Sequence, residues 1–571
     1  MSAPTVEIGR LSATLHQDGP PASTADQLSG PLRCLVEGGL EVALRGVRLP
    51  PGRWCVRRLR LTVPLDLDRP APALGGDWSA AVAAAIERAV REQPGEVLHY
   101  RHEVELLAEL VAGAAAGRVE RDWAWRQCGV LLPGDPAPSV SPGAAILAVL
   151  GRHPQLAAAA LLRAAVRSGL PAVDRALGRD GWQRLAAVVA LASWCGPGLG
   201  GAPESAPPEA ARALARALLS GSRLAGLIHG ARLRPDEGTL AAWAVLVAAE
   251  TDPASLHRRP HPGLPAALAG QLRALLGQRA AVAGAADRGR RAERPGLPVP
   301  PSATGTDPAT RLTEDGSDGS SAGAEPGTRR PDRPVQEPSA ASPGRQPLPG
   351  RPAPADPRPG AEEWPGRPAR PDEPGEPVRS VESTGEQAPP WSDGFESEQP
   401  GEQTGAATSW AGLLFLLATA AEAGLPQRAL EDQALAVRPL RWVLHAAGRV
   451  LVPALAVDDP ALLALAGLDA GGLAALSVAS PATEHEQAAI EGLAREWATV
   501  TAARLYPDGS EEASAVVVEL ARRSGRVLAE PGWIEVRLAA VETDIAVRRA
   551  GLDLDPGWVP WLGAVVGYVY A

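Results

Sequence analysis

Hydrophobic and polar residues alternate in the early part of this chain, and a helical period replaces the alternation further on. From Leu59 to Leu67 every second residue is leucine or valine, and the residues between them are polar or proline. A period of two predicts a strand with one buried face and one solvated face. Residues 6–15 predict an earlier strand.

Helical patterns accompany these strands. Residues 25–45 have apolar positions at helical spacing, and residues 77–92 have an apolar stripe at every fourth position. Asp77 is placed to cap the first turn of the second helix. Residues 1–95 are therefore predicted to form a small strand–helix–strand–helix module.

Residues 96–285 are predicted to form a helical domain. Alanine dominates this part of the chain, which favours helix, and Gly, Pro or Asp breaks the pattern at close intervals. Helices are predicted over 104–111, 145–150, 156–166, 182–194, 208–219 and 240–249, the first of them ending within 113–117.

Residues 406–571 are predicted to form a C-terminal helical domain that ends in a small sheet. Trp410–Glu422 is apolar on nearly all sides, which is typical of a helix at the centre of a core. Further helices are predicted over 440–455 and 486–505, with Arg449 and Arg495 on solvated faces. Strands are predicted over 534–538, 541–547 and 551–571.

The stretch between these domains has a different composition. From about Arg291 to Pro400 it holds 24 of the chain's 58 prolines, and apolar residues are sparse. Proline removes a backbone donor, and too little apolar surface is present to offset the entropy of ordering. Residues 286–405 are therefore predicted to be a disordered or polyproline-like linker. The predicted fold class is α+β and predominantly helical.

Composition excludes several function classes. The net charge of -10 argues against a general nucleic-acid binder. All 56 basic residues are arginine, so a phosphate-binding loop with its lysine and a Schiff-base lysine are both excluded.

The cysteines and the apolar runs predict a soluble cytoplasmic protein. Cys34, Cys55, Cys128 and Cys195 form no CxxC pair and are interpreted as small buried residues in a reducing compartment. No secretory signal is predicted at the N-terminus. The longest apolar runs are shorter than the roughly 20 residues that a membrane span needs.

His99, His102 and Glu103 are the nearest approach to a metal cluster. A helix would bring the two histidines together, but their spacing is not that of HExxH, and polar residues before a helix start explain them better. The acids of Glu484–Glu486 and of Asp458–Asp459 are explained by helix starts, and those at 553 and 555 by a turn. No catalytic, cofactor-binding or metal-binding residue is predicted, and the chain is not expected to be an enzyme.

Several segments resemble a known family. The front of the chain has a PPG turn followed by RWCVRRLRLTVPLDL, and then HEVELLAELVAGAAAGRVERDWAW. The rear has SWAGLLFLLATAAEAGL, and RRAGLDLDPGWVPWLGAVVGYVY lies at its end. Together they resemble segments of the tape-measure proteins of phage-tail-like contractile injection systems, over about a third of the chain.

This resemblance implies a structural role in assembly. It implies contacts with tube, sheath, hub or baseplate proteins, an influence on tube and sheath length, and a location in the cytoplasm or within an assembled particle. A linear ruler of this size needs unfolded domains or several copies, since the linker as polyproline helix spans about 340 Å. If the domains stay folded, the chain is expected to act as an assembly adaptor that contacts other particle proteins, and not as a linear ruler. The alternative is a general helical scaffold whose PxxP-like spacings within 347–359 recruit proline-binding partners.

Overall fold

The computed structural model describes residues 33, 39–47, 49–64, 69–92, 96–192, 208–257, 263–292, 405–477, 480–509 and 512–570. Within them the chain is α+β and predominantly helical, with a small sheet at the C-terminus, as predicted. Two predicted elements lie largely or wholly outside the described residues, namely the strand over 6–15 and most of the helix over 25–45. The predicted linker also lies outside them except at its ends.

The N-terminal part of the described chain has two helices and a two-stranded antiparallel sheet. In order they are α1 (Leu40–Arg45), β1 (Arg53–Val56), α2 (Ala71–Glu92) and β2 (Val97–Tyr100). Cys55 of β1 is opposite Leu98 of β2. Strand β2 was not predicted.

The predicted strand over Leu59–Leu67 is wrong for residues 59–64, and its last three residues lie outside the described residues. The strand that forms, β1, ends before it at Val56, and residues 58–64 have no regular secondary structure. Leu59 and Leu61 nevertheless pack against the Leu40 and Val82 cluster, while the alternate residues Arg58, Arg60 and Thr62 are exposed. The alternation of apolar and polar residues therefore reflects burial of one side of this segment and not pairing with another strand.

Helix α2 begins six residues before its predicted start. The carbonyl of Pro70 accepts hydrogen bonds from the amides of Ala73 and Leu74, so the first turn forms there. Asp77 is consequently inside the helix, where it pairs with Arg69 instead of capping. The predicted apolar stripe is confirmed, because Trp78, Val82 and Ile86 share one cluster.

The helical middle of the chain is confirmed. Helix α3 ends before Gly117, which takes the left-handed conformation favoured by glycine. The helices are α3 (Glu103–Ala116), α4 (Asp122–Gln127), α5 (Pro142–Arg152), α6 (Pro154–Ser168), α7 (Leu170–Ala192), α8 (Pro208–Gly221), α9 (Arg223–Gly230), α10 (Glu237–Thr251) and α11 (Leu264–Ala292), with a 3-10 turn at Pro253–His257.

The rear part combines short helices with five strands. Its helical elements are 3-10 turns at Ala411–Leu416, Gln433–Leu435 and Ala540–Glu542, and helices α12 (Leu417–Ala420), α13 (Leu425–Glu431), α14 (Leu440–Leu451), α15 (Pro460–Leu465), α16 (Leu473–Ser477), α17 (Glu484–Leu505), α18 (Ala513–Ala521) and α19 (Ile545–Ala550). Arg449 and Arg495 are exposed, as predicted.

The rear sheet places its strands in the order β3-β4-β5-β7-β6. The strands are β3 (Ala406–Thr408), β4 (Gly525–Glu530), β5 (Trp533–Leu538), β6 (Gly557–Val559) and β7 (Ala564–Tyr570). Strands β5 and β7 pair in parallel, and the other pairs are antiparallel.

The predicted strand over 541–547 is wrong. Asp544 accepts hydrogen bonds from the amides of Ala546 and Val547 and so caps α19. Val541 and Ile545 are exposed, so their apolar character does not mark a buried strand face here.

The apolar segment Trp410–Glu422 lies at the centre of the rear core, as its composition predicted. Every residue of Ala411–Leu416 is buried, although this part is a 3-10 turn rather than an α-helix. Trp497 of α17 donates its indole N–H to the carbonyl of Leu416 at 3.0 Å. Tyr568 of β7 donates its hydroxyl to the carbonyl of Leu414 at 2.7 Å.

The described residues of Met1–Arg294 and Pro400–Ala571 belong to one compact unit. The described parts of the three predicted segments 1–95, 96–285 and 406–571 thus share this unit. Among the described helices, none combines the length and the apolar character that a membrane crossing requires.

Candidate functional site

A group of charged residues, most of them half-buried, lies where the turn between β4 and β5 meets the front helices. Glu530 ends β4, and its carboxylate accepts from Arg163 of α6 at 2.6 Å and from Arg101 at 3.2 Å. Arg101 also lies 3.4 Å from Glu105, which in turn is 3.6 Å from Arg167. We call this group, with His102, the Glu530 cluster.

His102 connects the cluster to the start of α3. Its Nδ1 accepts a hydrogen bond from the amide of Glu105 at 3.2 Å, so this nitrogen carries no proton. The proton of the neutral ring is then on Nε2, which is 3.4 Å from Glu530 and can donate to it. Nη1 of Arg163 lies 3.3 Å from the same nitrogen, and since both atoms carry hydrogen this approach is not a hydrogen bond.

Burial and neighbouring charge shift the titration of these groups. Burial lowers the pKa of His102, which keeps the ring neutral. Burial alone would raise the pKa of Glu530, but the hydrogen bond from His102 and the charges of Arg163 and Arg101 lower it to about 2. The cluster therefore holds a permanent carboxylate between two guanidinium groups.

The turn that carries Glu530 fits closely against the front helices. Trp533 stacks on His102, with ring centroids 4.6 Å apart. Gly532 has a positive φ of 75°, and a Cβ there would lie 2.6 Å from the Cβ of Ala159 in α6. Only glycine suits this position, since it meets both the backbone requirement and the close approach.

A second polar junction lies at the end of α10. The buried carboxylate of Asp252 accepts from the amide of Leu440 at 2.9 Å and so caps α14, which follows Pro439. Glu250 accepts from the hydroxyl of Ser222 and the amide of Arg223, while its backbone carbonyl accepts from Arg441. Burial raises the pKa of Glu250.

Both junctions join the front part of the chain to the rear part through hydrogen bonds of buried or half-buried groups. In each, the acids accept from arginine, histidine or backbone amides, and Glu250 also accepts from the hydroxyl of Ser222. A cavity of about 430 Å³ lies elsewhere, between α13 and α17, where Arg428, Glu431 and Asp432 contribute polar groups. Asp432 accepts from the amide of Ala434 and so caps the following turn. The arrangement is suited to holding a rigid body together.

The histidines singled out in the sequence do not meet as a metal site. His99 lies in β2, where it stacks on Trp54 and contacts the carbonyl of Pro51. His102 is the N-cap of α3, which confirms the interpretation of a helix start. Glu103 pairs with His153 at 2.9 Å. In the part of the chain that the structure describes, no three His, Cys, Asp or Glu residues are grouped to hold a metal ion.

Asp459 and Glu486 have the helix-start roles that were predicted, whereas Asp553 and Asp555, predicted to serve a local turn, bond to distant residues of β7. Asp459 caps α15. Glu486 completes a capping box with Thr483 at the start of α17, and it also pairs with the buried Arg438 at 2.6 Å. Asp555 accepts from the amide of Tyr568 at 2.6 Å.

Two of the four cysteines lie in the described residues. Cys55 is buried and Cys128 is half-buried, and their Sγ atoms are 3.0 Å apart. The sequence interpretation as buried apolar residues misses this pairing, because the two positions are 73 residues apart. Cys34 and Cys195 are outside the described residues.

The sequence also did not reveal Glu530, Arg163 or Asp252 as junction residues. The available signal was local: Pro531 and Gly532 between two strand patterns indicate a tight turn.

Comparison of the chain with protein-family models, with curated proteins and with solved structures finds no match.

Proposed function

We propose that this chain is a non-enzymatic assembly component of a contractile injection system, of the tape-measure type. The segments that resemble the family carry this proposal, because they also build the core. Leu414, in the AGLLFLL segment, accepts a hydrogen bond from Tyr568, in the GLDLDPGW segment and its continuation. Two of these segments, 154 positions apart, therefore pack together in one core.

The adaptor form is favoured over the linear ruler. A ruler requires its end modules to separate as the segment between them lengthens. Here the flanks of Pro295–Gln399 belong to one compact unit, and the Glu530 cluster ties β4 to α3 and α6. Changing the length of the intervening segment therefore leaves the distance between front and rear modules unchanged.

In this proposal the folded unit contacts tube, sheath, hub or baseplate proteins. It does so in the cytoplasm during assembly or within the finished particle. In this proposal the proline-rich segment is a tether, and it does not set the length of the tube or sheath.

Affinity purification from the producing cells, after mild cross-linking, tests the proposal. Tagged full-length chain is expected to recover tube, sheath, hub or baseplate proteins. A matched variant replaces Pro349, Pro352, Pro354 and Pro357 with alanine and is expected to recover the same set. Recovery of unrelated proteins that this variant loses would instead support the general scaffold with a recruiting segment.

A further inference from the structure

The two neighbouring thiols lie at the junction between the N-terminal sheet and the helical core. Cys55 is in the middle of β1, and Cys128 follows α4 directly. Their Sγ atoms are 3.0 Å apart, and a disulfide bond of about 2.05 Å needs an approach of only about 1 Å. The guanidinium of Arg53, also in β1, donates to the carbonyl of Cys128 at 3.1 Å and holds the two segments in this register.

We propose that Cys55 and Cys128 form a redox-active dithiol that closes to an intramolecular disulfide on reaction with a low-molecular-weight disulfide such as oxidised glutathione. The proposal is independent of the function proposed above. It assigns a modification site to a pair whose side chains otherwise serve in apolar packing, since Cys55 belongs to the core cluster and Cys128 packs against that cluster.

The two thiols differ in access and in acidity. Cys128 is half-buried, whereas Cys55 is only 1% exposed. The hydrogen bond from Cys55 lowers the pKa of Cys128, and the same interaction, together with burial, raises the pKa of Cys55. Arg53 favours the Cys128 thiolate by its charge, while Glu109 opposes it. Cys128 is therefore the thiol that attacks, and Cys55 is the resolving thiol.

The reaction has two exchange steps. The Cys128 thiolate attacks one sulfur of oxidised glutathione, forms a mixed disulfide and releases one glutathione thiolate. Cys55 then loses its proton and attacks Sγ of Cys128, which forms the internal disulfide and releases the second glutathione. The protein dithiol is oxidised by two electrons, and oxidised glutathione is reduced to two molecules of glutathione.

The bond would tie the N-terminal sheet to the helical core. Cys55 shares its apolar cluster with Trp125 of α4 and Tyr100 of β2. The disulfide closes a loop of 73 positions that contains α2, β2, α3 and α4. The bond is reduced in a reducing cytoplasm and forms when the chain reaches an oxidising compartment.

The test uses the full chain with Cys34→Ser and Cys195→Ser, which leaves only the two thiols of interest. After incubation with oxidised glutathione, alkylation and trypsin, a linked pair of peptides is expected, Trp54–Arg57 joined to Gln127–Arg152. No alkylated thiol should remain, and dithiothreitol should restore two per chain. Two alkylated thiols after oxidation, or linkage only between separate chains, would overturn the proposal.

Single substitutions in the same background identify the attacking thiol. With C55S, a glutathione adduct is expected to accumulate on Cys128, because the resolving thiol is absent. With C128S, the buried Cys55 is expected to react at least tenfold more slowly. Equal rates of adduct formation would contradict the assigned order of attack. Circular dichroism of both variants verifies that each is folded, so that the rates report on the native thiols.

Discussion

Gly412 lies where no side chain fits. Gly412 belongs to the segment at the centre of the rear core. A Cβ at this position would be 2.2 Å from the carbonyl oxygen of Leu520 in α18. We expect Gly412→Ala to lower the free energy of unfolding by about 3 kcal/mol, because the backbone of α18 must move. Chemical denaturation followed by circular dichroism measures the change.

Gly492→Ala is the matched control for this substitution. Gly492 is in α17 and a Cβ there meets nothing within 4 Å. We expect it to be neutral or to stabilise by up to about 1 kcal/mol, since alanine favours helix. Equal losses of unfolding free energy in the two variants would contradict the close packing inferred at Gly412.

Removing the charge of Glu530 should destabilise the protein. Glu530→Gln leaves Arg163 and Arg101 without their shared carboxylate in a largely buried place. We expect a loss on the order of 3 kcal/mol, against at most about 0.5 kcal/mol for Glu41→Gln, whose pair with Arg45 is exposed. Thermal unfolding of the two variants makes the comparison, and similar shifts would show that the cluster contributes nothing.

Acid should weaken the same junction in two steps. The folded-state pKa of His102 is lowered, so the unfolded chain binds more protons below about pH 6.5 and stability falls as pH drops through that value. Glu530 has a folded-state pKa of about 2, so its contribution is complete above about pH 4.5 and is lost between there and pH 2. Denaturant midpoints from pH 8 to pH 3 test this, and in Glu530→Gln the lower step should become smaller.

The sequence predicted the role of a candidate residue only where that role depends on residues nearby in the chain. The helix-start roles of His102, Asp459 and Glu486 follow from residues a few positions away. The partner of Glu530 is Arg163, 367 positions distant, and no local pattern indicates it.

At the scale of elements, the helices of the middle part were predictable because their signal is local. Gly117 and the alanine-rich stretches fix where α3 ends and where α6 lies. The strand over Leu59–Leu67 was not, because a strand needs a partner and the alternating pattern reports only burial. The residue partners of β1 lie across a sequence gap of more than 40 positions, in β2.

One helix of the rear part depends on a residue of the front part. Pro439 precedes α14, and the Asp252 carboxylate supplies the cap by accepting from Leu440. We expect Asp252→Ala to cost about 1–2 kcal/mol and to speed amide hydrogen exchange in the first turn of α14.

Asp236→Ala is the matched control, because Asp236 caps α10 within the front part. It should speed exchange in the first turn of α10 and leave α14 unchanged. If Asp252→Ala left the exchange of α14 unchanged, the capping role would be wrong.

At the scale of the whole molecule, the fold class followed from the patterns, but the joining of front and rear did not. Composition separated residues 286–405 from their flanks and gave no information on whether those flanks touch. The contacts that join them, such as Trp533 on His102 and Gly532 on Ala159, depend on shape and on distant pairing.

Electron microscopy of injection particles tests the central claim, that the chain is a folded assembly component whose tether does not set length. Producing cells that lack the gene would be complemented with the full chain, with residues 295–399 deleted, or with that segment doubled, at matched protein levels. We predict no intact sheathed particles without the gene, and particles of one length in all three complemented strains. Normal particles without the gene would contradict the assembly role, and lengths that follow the segment would contradict the adaptor form.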